Sequence, residues 1–158
     1  MHPDKDCIWE IAVLQVDAGS VVARHSWLLK PACALPRTVS RLSGVLPAEL
    51  DEQPVFAEIA GELSRLLEGR VVVGHNLRVA HAFLRRAFTL AGLSVRYRQL
   101  CTVSLARAAW PDLPDYSLEA LCERQQILRF FRHRALPDAD AVWQLLSSLL
   151  AQVPAELL

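Results

Sequence analysis

Three consecutive valines, Val71, Val72 and Val73, constrain the fold more than any other feature of this sequence. Turn residues bound the run on both sides, and a short β-branched run of this kind is typical of a strand that is buried on both faces. Helical patterns flank it, because apolar residues recur at helical spacing over 54–67 and 77–91. A buried strand between two helices predicts a mixed α/β fold with a partly parallel sheet.

The segments around this unit complete the predicted order of elements. Residues 7–16 and 21–29 predict a β-hairpin, because both are rich in β-branched and aromatic residues and a turn signal at 17–20 separates them. Toward the carboxyl end we expect a short strand at 95–97 and helices at 103–109, 117–125 and 137–152.

The composition indicates a globular chain that stays out of membranes. Of its 158 residues, 53% are hydrophobic and 22% are charged, which excludes a disordered chain. No window approaches 18 uninterrupted apolar residues and the amino terminus does not resemble a signal peptide, so we expect a soluble, cytoplasmic protein with no membrane partner. We expect one domain over 1–153 and a short tail at 154–158.

Charge and cysteine content give no direct pointer to function. The 17 basic and 17 acidic residues cancel, so net charge supplies no argument for a nucleic-acid partner. The cysteines show no C-x-x-C pair and no zinc spacing. We therefore expect buried, reduced thiols at Cys7, Cys33, Cys101 and Cys122.

Three segments of the sequence carry a family resemblance. They begin at Gly74-His75-Asn76, at Cys101-Thr102 and at His133-Arg134-Ala135. Together they resemble the DEDDh, DnaQ-like 3'-5' exonucleases, and the stretches around Cys101 and His133 are most similar to exonuclease modules found beside GIY-YIG nuclease domains. The resemblance implies a ribonuclease H-like fold, which is a mixed sheet flanked by helices.

The third segment supplies the catalytic residues that the resemblance implies. In that family four carboxylates hold two divalent ions, Mg²⁺ or Mn²⁺, roughly 4 Å apart, and a histidine takes the proton from the attacking water. His133 and Asp138 match this motif, with Asp138 as a metal ligand in the first turn of the last helix. The residues alone leave a second interpretation open, in which Asp138 only charges a helix start and His133 is a surface residue.

The second segment lacks its carboxylate. Ala80 stands where the family has an aspartate, and a methyl group cannot bind a hard cation. The neighbouring His81 is a poor substitute, because adjacent side chains on a helix do not share a face. The resemblance implies that His75, Asn76 and Arg134 contact nucleic acid, although Asn76 also fits an ordinary helix N-cap.

The family's first motif, a D-x-E on its first strand, is absent because the resemblance begins at Met1. In the family this strand is central and pairs with the hairpin on one side and the valine strand on the other. Either a start codon lies upstream or the gene has lost the strand. In both cases we expect this chain to have unpaired backbone groups, which favour self-association or strand addition.

Three functions remain open for the chain. The first is a degenerate exonuclease domain of DNA replication or repair type, which binds a nucleic-acid 3' end, in DNA or RNA, or a polymerase or repair-nuclease partner, without cleaving. The second is an active 3'-5' exonuclease whose start is placed too late, and the third is a non-catalytic interaction module. Ala80 favours the first, because a misplaced start cannot remove a carboxylate from within the chain.

Overall fold

A computed structural model describes residues 6–128 and 134–152. Its strands are β1 (Glu10–Asp17), β2 (Ser20–Leu28), β3 (Val71–Gly74) and β4 (Arg98–Cys101). Its helices are α1 (Arg37–Ser43), α2 (Pro47–Leu50), α3 (Phe56–Leu67), α4 (Leu77–Leu90), α5 (Thr102–Ala109), α6 (Leu118–Arg124) and α7 (Ala135–Leu150). The predicted mixed α/β class is confirmed.

The predicted hairpin forms from β1 and β2, which pair antiparallel with Glu10 opposite Leu28. Its turn requires two residues in the left-handed backbone region, Ala18 with φ 49° and Gly19 with φ 77°. Two successive positive φ angles are the signature of the type I′ turn, whose twist matches that of the strands it joins. Glycine adopts this conformation without a steric penalty, which explains why Gly19 marks the turn in the sequence.

β3 and β4 pair in parallel, as the buried-strand pattern predicts. The predicted position of the second strand, 95–97, is wrong, because the ladder begins at Arg98. The carbonyl of Arg96 accepts a bond from the N–H of Gly69 at 2.8 Å, which ties residues 95–97 to the turn before β3. Val95 and Tyr97 instead pack their side chains against the apolar core.

The last helix, α7, begins at Ala135, two residues earlier than the predicted start at 137. Pro137 therefore lies inside the first turn, where a missing N–H costs nothing because that group has no partner within the helix. Helix α3 begins at Phe56, two residues later than the predicted start at residue 54. In the described part of the chain, no helix is long and apolar enough to cross a membrane.

Two apolar clusters lie on opposite faces of the strands. One is built on α3 and α4 and takes in Val72, and the other is built on α5, α6 and α7 and takes in Val73. Since successive side chains of a strand point to opposite faces, β3 has helices on both faces, as the valine run predicts, but its burial is incomplete because Val71 is exposed.

The sheet is interrupted between β1 and β3. The hairpin and the β3–β4 pair are separate two-stranded sheets, and no ladder joins them within the residues described. α7 packs against both β1 and β3. At the end of β1, Asp17 Oδ1 accepts a hydrogen bond from Nη1 of Arg70 at 2.8 Å, which places this end beside the start of β3.

The expected reduced thiols at Cys7 and Cys33 are wrong, because a disulfide joins these residues. The backbone brings them together: the N–H of Leu29 donates to the carbonyl of Trp9 at 2.9 Å, which extends the hairpin pairing beyond β1 and β2. The two Cα atoms then lie 5.9 Å apart, within the usual range for a disulfide. Cys101 is half-buried and Cys122 is buried.

The open edges of β1 and β3 lead to a prediction about solution behaviour. The purified 158-residue chain should self-associate, because unpaired strand edges pair with other edges. Size-exclusion chromatography with light scattering at several concentrations measures this directly. A monomer at every concentration, with a cooperative melt above ~50 °C as in ordinary mesophilic domains, would contradict it.

Candidate functional site

The candidate site lies where β3 and β4 end. Parallel strands present their carboxyl ends at one edge, and ligands of open α/β sheets bind in the crevice outside that edge. Here β3 ends at Gly74 and leads through His75 and Asn76 into α4, while β4 ends at Cys101 and leads directly into α5. The first two resemblance segments thus meet at one edge.

His75 is held by a buried threonine of the neighbouring strand end. Its Nδ1 lies 2.9 Å from Oγ1 of Thr102, which is fully buried at the start of α5. The exposed carboxylate of Asp115 is held by Ser117, whose backbone N–H and hydroxyl both donate to it and lower the pKa of Asp115. A smaller electrostatic contribution from His75 also lowers that pKa.

Asn76 is exposed and occupies the N-cap position of α4 in the left-handed region, with φ 52° and ψ 45°. The structure agrees with the interpretation of Asn76 as the N-cap residue of α4, although its side chain makes no cap hydrogen bond in the part of the chain described. Asparagine tolerates this backbone better than most residues. The Asn76 side chain is not used as a cap, and its contact with nucleic acid stays a prediction.

Cys101 also lies at this edge. The sequence analysis named it as the start of the second segment and as a buried thiol, but assigned it no role in the site. Burial alone would raise the pKa of its thiol, but backbone N–H groups of Leu77, Ser104, Val103 and Asn76 donate to the sulfur and lower the pKa below its usual value. These N–H groups belong to the first turns of α4 and α5 or their caps, where backbone donors lack helical partners. The signal was present in the sequence as a cysteine between a strand and a helix.

Ala80 lies on α4, one turn beyond Asn76, and its side chain is exposed. His81 does not replace the missing carboxylate. Its Nδ1 lies 2.8 Å from the hydroxyl of Tyr97, and the two rings meet edge to face. Burial raises the pKa of Tyr97, so the hydroxyl keeps its proton at neutral pH and can donate to His81. This histidine therefore serves the packing of α4.

The third segment is described in part. Asp138 lies in the first turn of α7, as predicted, and its N–H donates to the carbonyl of Arg134 at 3.2 Å. His133 lies outside the described residues. Arg134 is the N-cap residue of α7, and its guanidinium binds the carboxylate of Glu10. Arg134 as a nucleic-acid contact stays a prediction, and 35% of its side chain is exposed.

Glu10 is the second residue that sequence reasoning missed. Only 3% of its side chain is exposed, and it receives hydrogen bonds from Arg134 and from the backbone N–H of Ala135. The available signal was a single charge inside the apolar strand segment Ile8-Trp9-Glu10-Ile11-Ala12.

The donor set does not fit a two-metal centre. Among residues 6–128 and 134–152, no group of three or more His, Cys, Asp or Glu side chains is placed to hold a metal ion. Of the carboxylate positions that the resemblance implies, Asp138 is present and Ala80 is an alanine. The two described cavities, of about 290 and 420 Å³, lie elsewhere, around Cys33 and around Phe83.

With this geometry the chain can be placed in a family. A family model described as "Exonuclease" (RNase_T) matches residues 1–146, so the chain belongs to this exonuclease family. The resemblance to DnaQ-like 3'-5' exonucleases is thereby confirmed, whereas the closer likeness to modules beside GIY-YIG nucleases stays a prediction.

Curated relatives agree with this placement. The chain is 28% identical over 151 residues to DNA polymerase III subunit epsilon of Aquifex aeolicus, covering 95% of this chain and 75% of the relative. It is 27% identical to 3'-5' exonuclease DinG of Bacillus subtilis, covering 94% of this chain but 16% of the relative.

Solved structures confirm the ribonuclease H-like fold. Exonuclease X in complex with 5' overhanging duplex DNA matches with a TM-score of 0.74 and 24% identity, covering 93% of this chain and 84% of that one. Exonuclease I of E. coli in complex with a dT13 oligonucleotide matches with a TM-score of 0.81 and 20% identity, covering 96% of this chain and 39% of that one.

The environment of Cys101 predicts a pH dependence of its alkylation. Because the lowered pKa keeps the thiolate populated to lower pH, iodoacetamide should modify Cys101 with a half-maximal rate below pH ~8.5, the value of an ordinary thiol. Mass spectrometry of the Cys101 peptide at successive pH values gives the profile. The buried Cys122 provides an internal comparison and should react more slowly. A Cys101 midpoint above that of the unfolded chain would contradict the prediction.

Proposed function

We propose that this chain is a degenerate 3'-5' exonuclease domain that binds the 3' end of a nucleic-acid strand and does not cleave it with Mg²⁺ or Mn²⁺. The observation that carries the proposal is Ala80. It stands on an exposed position of α4 in the segment where the family motif has a carboxylate. An alanine has no oxygen to offer a hard cation.

Two-metal hydrolysis demands more ligands than this chain offers. The ions clamp the attacking and leaving oxygens, and their positions are fixed by several carboxylates at once. With Asp138 as the remaining motif carboxylate, most of the charge of two divalent ions stays uncompensated, and water does not fix their geometry. No cleavage step is therefore assigned to this site.

Groups suited to holding a strand end remain at the edge where β3 and β4 end and at the start of α7. His75 is oriented by Thr102, and Asn76 exposes its amide at the start of α4. Arg134 keeps about a third of its side chain exposed at the start of α7, where it can reach a phosphate. The relatives solved with DNA have the same fold, which supports nucleic acid as the ligand class.

The relatives also extend the proposal to a protein partner. Two of them carry the name DNA polymerase III subunit epsilon, and each is matched over more than two thirds of its length. We infer that this domain works in DNA replication or repair beside a polymerase or repair nuclease. Co-purification with one defined polymerase subunit at a time would test that association separately from strand binding.

The first test of the proposal is a cleavage assay. The chain should not trim a 5'-labelled single strand with Mg²⁺ or Mn²⁺ above background, and Ala80→Asp alone should not restore trimming, since a first-strand carboxylate pair is still lacking. A fusion that adds a D-x-E strand before Met1 together with Ala80→Asp is the positive control. Metal-dependent trimming by the unaltered chain that disappears in Asp138→Ala would overturn the proposal, as would a restored fusion that folds, binds Mn²⁺ and stays inert.

The second test measures binding. Fluorescence anisotropy should show tighter binding to a linear single strand with a free 3'-hydroxyl than to a circular strand of the same sequence, in DNA or RNA. Asn76→Gly should weaken this preference, because it removes the exposed amide while glycine keeps the left-handed backbone. Gln99→Gly, at another exposed polar position, is the control. Equal binding of linear and circular strands by the wild type would contradict 3'-end recognition.

A further inference from the structure

Glu10 places a carboxylate in the interior beside the start of α7. Its Oε1 and Oε2 lie 3.0 and 3.2 Å from Nε of Arg134, and its Oε1 lies 3.0 Å from Nη2. Its Oε2 also accepts the backbone N–H of Ala135 at 2.9 Å. The strand and the helix that it joins are 125 residues apart in the chain.

The contact with Ala135 serves as a helix cap supplied by another element. The first N–H groups of a helix lack partners, and a side chain at the N-cap usually satisfies one of them. α7 has Arg134 at its N-cap, which makes no side-chain cap bond in the described structure. The Glu10 carboxylate supplies the acceptor instead, and its negative charge lies where the helix dipole stabilises it.

The pairing with Arg134 explains how a charge can stay buried at this point. A buried carboxylate is costly unless it is paired and its oxygens are hydrogen-bonded, and breaking such a pair leaves an uncompensated charge. Both conditions are met for Glu10, whose side chain is almost fully enclosed. The start of α7 is thus fixed to the first residue of β1 by charge and by backbone bonding together.

We propose that Glu10 is a positioning residue for 3'-end binding: it fixes the first turn of α7, which carries Asp138. This inference rests on the proposed function, because it concerns the same site. Glu10 itself does not contact the nucleic acid. It acts through Arg134 and Ala135, by holding the guanidinium and the helix start in one arrangement.

Glu10→Gln is the decisive variant, because glutamine keeps the shape and an oxygen for the N–H of Ala135 but loses the charge that binds Arg134. Asp17→Asn is the matched control. Asp17 lies on the same strand, and the variant also loses an ion pair to an arginine, Arg70. That pair is at the end of β1 opposite to Glu10. Three quantities are measured for each variant: the affinity for a 3'-hydroxyl strand, the hydrogen exchange of peptide 134–141, and the melting temperature.

We expect Glu10→Gln to weaken 3'-end binding by about tenfold, within the usual range for coupling between separate groups, and to speed exchange in 134–141 selectively. Asp17→Asn should leave both unchanged. Glu10→Ala, which also removes the cap, should speed exchange in 134–141 further than Glu10→Gln.

Two hydrogen-exchange results would overturn the inference. One is unchanged exchange in 134–141 in Glu10→Gln. The other is faster exchange that is equal throughout the chain with a lowered melting temperature, which is a purely structural effect. A wild type without preference for 3' ends would overturn the proposed function, and the exchange measurement would still report whether Glu10 holds α7. A wild type with that preference, matched by Glu10→Gln at full affinity, would overturn the positioning role alone.

Discussion

Apolar packing of α7 holds together two sheets that share no ladder within the described residues. Leu145 and Leu149 are fully buried in the cluster that α7 forms with α5 and α6. Burial of each such side chain contributes roughly 1.5–3 kcal/mol, whereas an exposed ion pair such as Asp17 with Arg70 contributes about 0–1 kcal/mol. The helix layer, rather than backbone pairing or surface charge, therefore keeps β1 next to β3.

The sequence predicts what short-range patterns determine. The valine run predicts β3, and the spacing of apolar residues predicts α3 and α4. Gly19 predicts the hairpin turn, where it has a positive φ. Features that depend on contacts distant in the chain were predicted wrongly or missed. Cys7 lies close to Cys33 because Leu29 and Trp9 extend the hairpin pairing. No local sequence pattern predicts that these two cysteines are in contact.

The candidate site divides in the same way. Motif spacing brings His75 and Asn76 to the strand edge and Asp138 to the first turn of α7, and the structure has each of them on the predicted element. Glu10 could not be assigned a role from sequence, because its partners lie on α7, far along the chain. The lowered pKa of Cys101 likewise depends on backbone N–H groups from two helices, which only the folded chain brings together.

The physical cost of losing a side chain differs between Glu10 and position 80. Removing Glu10 would leave Arg134 without its ion-pair partner and the N–H of Ala135 without its acceptor, which loosens the start of α7. A carboxylate at position 80 would not hold two elements together, because that position is exposed on α4. Alanine there improves intrinsic helix propensity over aspartate by up to about 0.7 kcal/mol and removes a negative charge from the site. Alanine at position 80 therefore costs the fold little, whereas loss of Glu10 removes the contact that anchors α7 to β1.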